Sequence, residues 1–244
     1  MTYALVNGQQ LYYETRGSGR PLVLLHGGLL TIDLSFGSVL GPLAATRQVV
    51  AVELQGHGHT ADTDRPMTID ALAGDVIGLL DHLGIAEADL FGFSLGGLVG
   101  YAVALAAPER IGRLIVASAD AHRPPGRESA PLGEDRLPTQ ADFEAMRAAY
   151  EAVAADPAQF EKSAAKTGAM VHEVPARTAE ELLALRAPTL LIFGDRDFSP
   201  LTDVAELLGM LPDAQLAVLP GATHMNVMQR TDQLLALITP FLGA

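Results

Sequence analysis

The 244-residue chain has no cysteine and no tryptophan. Without cysteine it can form no disulfide, no thiolate nucleophile and no zinc–sulfur site. Positive charge is also scarce: 16 Lys and Arg stand against 29 Asp and Glu, a net charge of −13. That balance repels phosphate backbones and anionic bilayers, so neither nucleic acid nor a membrane surface is an expected partner. No apolar run is long enough to span a bilayer, because each is strand-sized or broken by glycine and charge. The stretch Met1-Thr2-Tyr3-Ala4-Leu5-Val6-Asn7-Gly8 lacks the basic region and apolar core of a leader peptide, which makes the cytoplasm the default compartment. Internal repeats and low-complexity tracts are absent too.

What the sequence does hold is a large apolar fraction, 49%, in a pattern of short runs separated by helical periods. Residues 3–6 and 10–14 alternate as strands do, around Asn7-Gly8, a dipeptide suited to a tight hairpin turn. Runs at 21–25, 48–53, 89–93, 111–117, 189–193 and 215–219 read as strands, most of them apolar throughout, as strands covered on both faces must be. Helical spacing connects them near 34–45, from 69 to 83 behind a Thr68 cap, after 95, and near 231–242. Strands alternating with helices predict an α/β fold: a mostly parallel, twisted sheet of about eight strands with helices on both faces. From 120 to 186 the rhythm breaks. Arg123-Pro124-Pro125-Gly126-Arg127 opens this stretch, and helical pieces fall near 142–155 and 179–185. We read residues 1–119 and 187–244 as the core and 120–186 as a small helical cap, since long insertions in compact α/β units usually serve a site.

The chemistry centres on Gly92-Phe93-Ser94-Leu95-Gly96, a Gly-x-Ser-x-Gly turn between a strand and a helix. Such a turn presents a serine hydroxyl at a sharp bend, and side chains at 92 and 96 would collide across it. A serine hydroxyl needs a general base. Of the seven histidines, His224 follows the last strand, at the carboxyl edge where ligands gather in an open parallel sheet. The base needs a carboxylate. Asp195 and Asp197 both follow a strand; Asp197 lies further into its loop, while Asp195 is placed to satisfy backbone N–H groups, and Asp120 is the fallback. The oxyanion needs two donors: the N–H of Leu95, at a helix start where N–H groups are unpaired, and an N–H of His26-Gly27-Gly28, for which Gly28 is the candidate. His26 itself reads as a structural histidine holding that loop.

Taken together, His26-Gly27-Gly28, Gly56-His57-Gly58, the 92–96 turn, and the loops ending at Asp197 and His224 resemble the α/β-hydrolase superfamily over nearly the whole chain. The resemblance implies a Ser94–Asp197–His224 triad with Gly28 and Leu95 at the oxyanion, no cofactor and no metal. The family commonly has Asp-x-Pro-Gly-x-Gly-x-Ser after the second parallel strand; here it is Glu53-Leu54-Gln55-Gly56-His57-Gly58-His59-Thr60. This segment also fits a dinucleotide fingerprint, but Asp62, Asp64 and Pro66 interrupt the helix that a pyrophosphate requires. Its His57-x-His59 pair lacks a third histidine at metal-site spacing, and we read it as a solvated loop over the sheet edge. Leu29, Phe93, Met146, Tyr150, Met170 and Met225 are candidate pocket walls. The expected activity is acyl transfer on small to medium uncharged esters or lactones. Related members with the same triad cleave carbon–carbon bonds or make peracids without a cofactor, and a ligand-sensing, non-catalytic member is a further alternative.

Overall fold

The computed structural model describes residues 2–122 and 133–243; the Arg123–Arg127 run of the expected cap opening lies outside the described residues. The chain order is β1 (Thr2–Val6), β2 (Gln9–Arg16), β3 (Pro21–Leu25), α1 (Ile32–Ala44), β4 (Gln48–Val52), α2 (Ile69–His82), β5 (Ala88–Phe93), α3 (Leu95–Ala106) and β6 (Ile111–Ala117). Then come α4 (Gln140–Val153), α5 (Phe160–Glu173), α6 (Ala179–Leu183), β7 (Thr189–Arg196), α7 (Leu201–Met210), β8 (Ala214–Thr223) and α8 (Thr231–Leu242). The eight strands form one sheet in the order β1-β2-β4-β3-β5-β6-β7-β8. The β1–β2 and β2–β4 pairings are antiparallel, and every later pairing is parallel.

Alternation along the strands divides the core into two layers. On β3, Leu22 and Leu24 join a cluster with Phe36 and Val39 of α1 and Leu234 and Ile238 of α8. Val23 and Leu25 face the other way, toward Leu72 and Val76 of α2, Val99 of α3 and Leu207 of α7. Successive side chains of a strand point to opposite faces, so one apolar run fills both layers. Each fully buried leucine of this kind contributes about 1.5–3 kcal/mol. α2 starts at Thr68, whose side chain accepts from the Ala71 N–H, and Asp70 in its first turn suits the helix dipole.

Three local expectations change. The apolar pattern suggested no helix at 160–173, yet α5 lies there and buries Phe160, Ser163, Thr167 and Met170. Half of that buried face is polar, which hid its period. β8 continues through Pro220 and Gly221, expected to be loop; it is an edge strand, where a missing N–H can be tolerated. Finally, residues 53–58 are buried rather than solvated. Glu53 accepts from the His59 N–H and Nδ1, and the Thr60 hydroxyl donates to the Glu53 carbonyl, so the polar groups of Glu53 find their partners inside the protein.

Candidate active site

Strand register assembles the site. In the parallel β5–β6 pair, Phe93 lies opposite Ala117, so Ser94 and Ser118 leave neighbouring strands at the same level. Across β7–β8, Arg196 lies opposite Thr223 beyond an irregularity after Gly194, and Asp197 and His224 leave together in the same way. Parallel strands end on one edge, so residues far apart in sequence converge there.

Ser94 has φ 51° and ψ −116°, and it caps α3 without a side-chain hydrogen bond to the helix. For a serine this is a strained conformation, of the kind that clusters at functional sites. Among the described residues, four non-glycine residues have left-handed φ; Leu29, Ser94 and Ser118 border this edge, and Asn7 belongs to the hairpin turn. The bend explains both glycines. A Cβ on Gly92 would run into the Gly96 carbonyl, and one on Gly96 would run into the Leu25 carbonyl.

The Nε2 of His224 lies 2.9 Å from Ser94 Oγ, and its Nδ1–H donates to Asp197 Oδ1 at 2.8 Å. A carboxylate accepts only, so Nδ1 carries the proton and Nε2 is free to accept from the serine. Asp197 is almost fully buried; its Oδ1 also accepts from the Phe198 N–H at 2.7 Å, and its Oδ2 accepts from the Ser118 hydroxyl. Burial opposes ionisation of Asp197, but these hydrogen bonds and the attraction of His224 outweigh it and hold its pKa below the usual carboxylate value. Asp195 sits within β7 and accepts from the Gly221 N–H at 2.7 Å, the backbone role its position suggested. The Phe198 ring stacks on His224 with centroids 4.0 Å apart, and Phe93 lies on it at 5.3 Å.

The neighbouring loop holds the candidate donors. His26 is fully buried; its Nδ1–H donates to the Gly27 carbonyl at 2.8 Å and its Nε2 accepts from Leu54 N–H at 2.9 Å. The Gly96 N–H donates to the His26 carbonyl at 3.0 Å, which joins this loop to the start of α3. A Cβ on Gly28 would sit 3.8 Å from Leu95 Cβ and 3.3 Å from Thr167 Cγ2. Gly28 and Leu95 are therefore neighbours beneath α5, and neither N–H has an acceptor among the described residues. His57, His59, Asp62 and Asp64 do not converge: His57 Nδ1 bonds the Gln55 carbonyl, His59 pairs with Glu53, and Asp62 with Lys166.

A cleft of ≈ 440 Å³ opens at Ser94 and His224, walled by Leu98, Ala119, Val171, Phe198 and Pro200, with Ser118, Asp120, Ser199 and Asp203 as polar lining. None of the six expected wall residues is among those lining it. Phe93 instead supports His224 from within the core, and Leu29 and Met225 pack against the same core layer. Met146 and Tyr150 are buried in the layer that contains Phe160, and Met170 borders a separate groove with Met67 and Arg177. Apolar composition could not separate packing from lining, because both use the same residue types. Ser118 and Phe198 were also missed; the only available signal was their position directly after a strand and directly after the candidate acid.

The model of the Alpha/beta hydrolase family matches residues 22–237. The chain belongs to this family. Among relatives of this α/β hydrolase, the dihydrolipoyllysine-residue acetyltransferase component of the acetoin cleaving system of Pseudomonas putida is 32% identical, over 98% of this chain and 68% of that protein. The 3-oxoadipate enol-lactonase 2 of Acinetobacter baylyi is 36% identical over 44% of this chain, an alignment that spans 41% of that protein. A variant of the meta-cleavage product hydrolase of Pseudomonas fluorescens IP01 has the same fold, with a TM-score of 0.83 at 24% identity over 99% and 97% of the two chains. The protein is a hydrolase-family member with a mostly parallel eight-stranded sheet. Among the described residues no helix is long and apolar enough to cross a membrane.

Proposed function

We propose that this α/β hydrolase acts by acyl transfer on small to medium uncharged carboxylic esters or lactones, with Ser94 as nucleophile, His224 as base and Asp197 as its carboxylate partner. The observation that carries this reading is the continuous hydrogen-bond line from Asp197 through both nitrogens of His224 to a strained Ser94 Oγ. His224 Nε2 takes the Ser94 proton as Oγ attacks the carbonyl carbon. The N–H groups of Gly28 and Leu95, adjacent and without an acceptor among the described residues, receive the developing oxyanion. Each such donor is worth about 3–4 kcal/mol in the transition state. His224 then protonates the leaving alcohol, and water repeats the sequence on the acyl-enzyme.

The substrate class has separate support. A volume of ≈ 440 Å³ suits a small organic molecule, and the described lining contains no Lys or Arg to hold an anion. The enol-lactonase of Acinetobacter baylyi, by its name, acts on a lactone, which agrees with this reading. Within the 120–186 segment, α5 serves as a cap over the site, for its Thr167 lies against Gly28 and its Val171 lines the cleft. p-Nitrophenyl acetate tests the proposal: the wild type releases p-nitrophenol, and Ser94→Ala abolishes the release while keeping the fold by circular dichroism. Equal release by both proteins would overturn it.

A further inference from the structure

Along α3, Ser94, Leu98 and Tyr101 follow the i, i+4, i+7 spacing of one helix face. Leu98 and Asp120 line the cleft at Ser94 and also a second, smaller cavity, which Tyr101, Ala121, Val174 and Arg177 border as well. Tyr101 is 0% exposed, and its hydroxyl has no hydrogen-bond partner among the described residues. A buried donor left unpaired costs about 1–3 kcal/mol, so its presence beside a cavity points to a ligand atom that completes it. Burial, and then the negative charge of Asp120, raise the phenol's pKa, which keeps it a donor.

Size limits what can enter. The cavity measures ≈ 20 Å³, room for about one water or one substrate oxygen, and too little for a ring. Of the two charged side chains in its wall, Asp120 disfavours a carboxylate, and Arg177 is already paired with Asp70 and Glu181. Tyr101 lies two helical turns beyond Ser94, roughly 10 Å along the axis, and helix side chains lean back toward the N-terminus, here toward the cleft. Resting on the acyl-transfer reading above, we propose that this cavity is a subsite for the far end of the acyl chain. It takes one neutral acceptor, a ketone, ether or hydroxyl oxygen, on the Tyr101 hydroxyl, with the chain running past Leu98.

The test compares p-nitrophenyl esters of straight-chain acids with esters of the same acids ending in a methyl ketone. At one chain length the wild type should prefer the ketone in kcat/KM by about five- to tenfold, and Tyr101→Phe should lose the preference. p-Nitrophenyl acetate, too short to reach, should be hydrolysed equally by both. Tyr101→Phe leaves no protein group unpaired, so unchanged acetate turnover also reports an intact fold. A ketone preference missing at every length, or equal in both proteins, overturns the subsite. Absence of acetate turnover in the wild type would overturn the acyl-transfer reading instead. In that case the thermal shift given by a long-chain methyl ketone decides the subsite: a larger Tm rise in the wild type than in Tyr101→Phe supports it, and equal rises overturn it.

Discussion

His26 and His224 both step off the carboxyl ends of parallel strands, β3 and β8, yet their rings meet different surroundings. His26 is fully buried between two backbone groups, the Gly27 carbonyl and the Leu54 N–H. Burial, helped by His57, pushes its pKa down to about 3, so it stays neutral and works as a fixed two-pronged tie. His224 is partly open to the cleft and lies between a carboxylate and a hydroxyl. Strand-end position is shared. What separates a tie from a proposed base is one ionised partner and a route to solvent.

Removing that ionised partner should have the largest effect. Asp197→Asn should lower kcat about 10⁴-fold by favouring the wrong His224 tautomer, whereas Asp195→Asn, whose amide oxygen still accepts from the Gly221 N–H, should leave kcat within about twofold. Steady-state ester hydrolysis reads both, and the opposite ranking would transfer the acid role to Asp195.

The tie should show itself in stability against pH. His26 binds a proton readily when unfolded, near pH 6.5, but only near pH 3 when folded. Between those values the unfolded state holds more protons, so stability falls as pH falls, by about 5 kcal/mol in all from this group. His57, likewise buried and lowered, adds in the same direction. Urea unfolding of His26→Gln should give a protein about 1–3 kcal/mol less stable at neutral pH, with a shallower loss across that window. An unchanged slope would exclude His26 as a source of acid sensitivity.

A smaller loss than that of Asp197→Asn is expected at Ser118, whose hydroxyl donates to Asp197 Oδ2. Ser118→Ala should lower kcat about tenfold with KM unchanged, because the carboxylate loses one of its fixed donors. A kcat equal to wild type would mean that the Phe198 N–H and His224 suffice to hold Asp197.

The sequence made the strand-end constellation legible because its residues obey local rules. Gly92 and Gly96 are demanded by a tight bend, Asp197 and His224 follow apolar strands, and Asp195 satisfies a backbone N–H. The cleft walls obey no local rule. Leu98, Val171 and Pro200 come from three elements, and nothing in their spacing distinguishes them from core leucines and valines. α5 stayed hidden because Ser163 and Thr167 occupy its buried face, and the 53–60 segment misled because glycine and histidine suggest solvent when no partners can be assigned. Hydrogen bonding at a distance, as between Lys166 and the carbonyls of Thr63 and Arg65, is what such local patterns omit.

The contact of Gly96 with the end of β3 bears on how this enzyme family member could be altered. Its N–H holds the His26 carbonyl, and the space where its side chain would stand is filled by Leu25. Ser94, the proposed nucleophile, and the loop carrying Gly28 are thereby fastened through a single residue, and a methyl group added there would displace both together. Under the proposed mechanism, a change at Gly96 would alter the attack angle of Ser94 and the position of the Gly28 donor together. Freedom for change lies across the cleft, at Val171 of α5, where a new side chain alters what fits without moving the residues that would react.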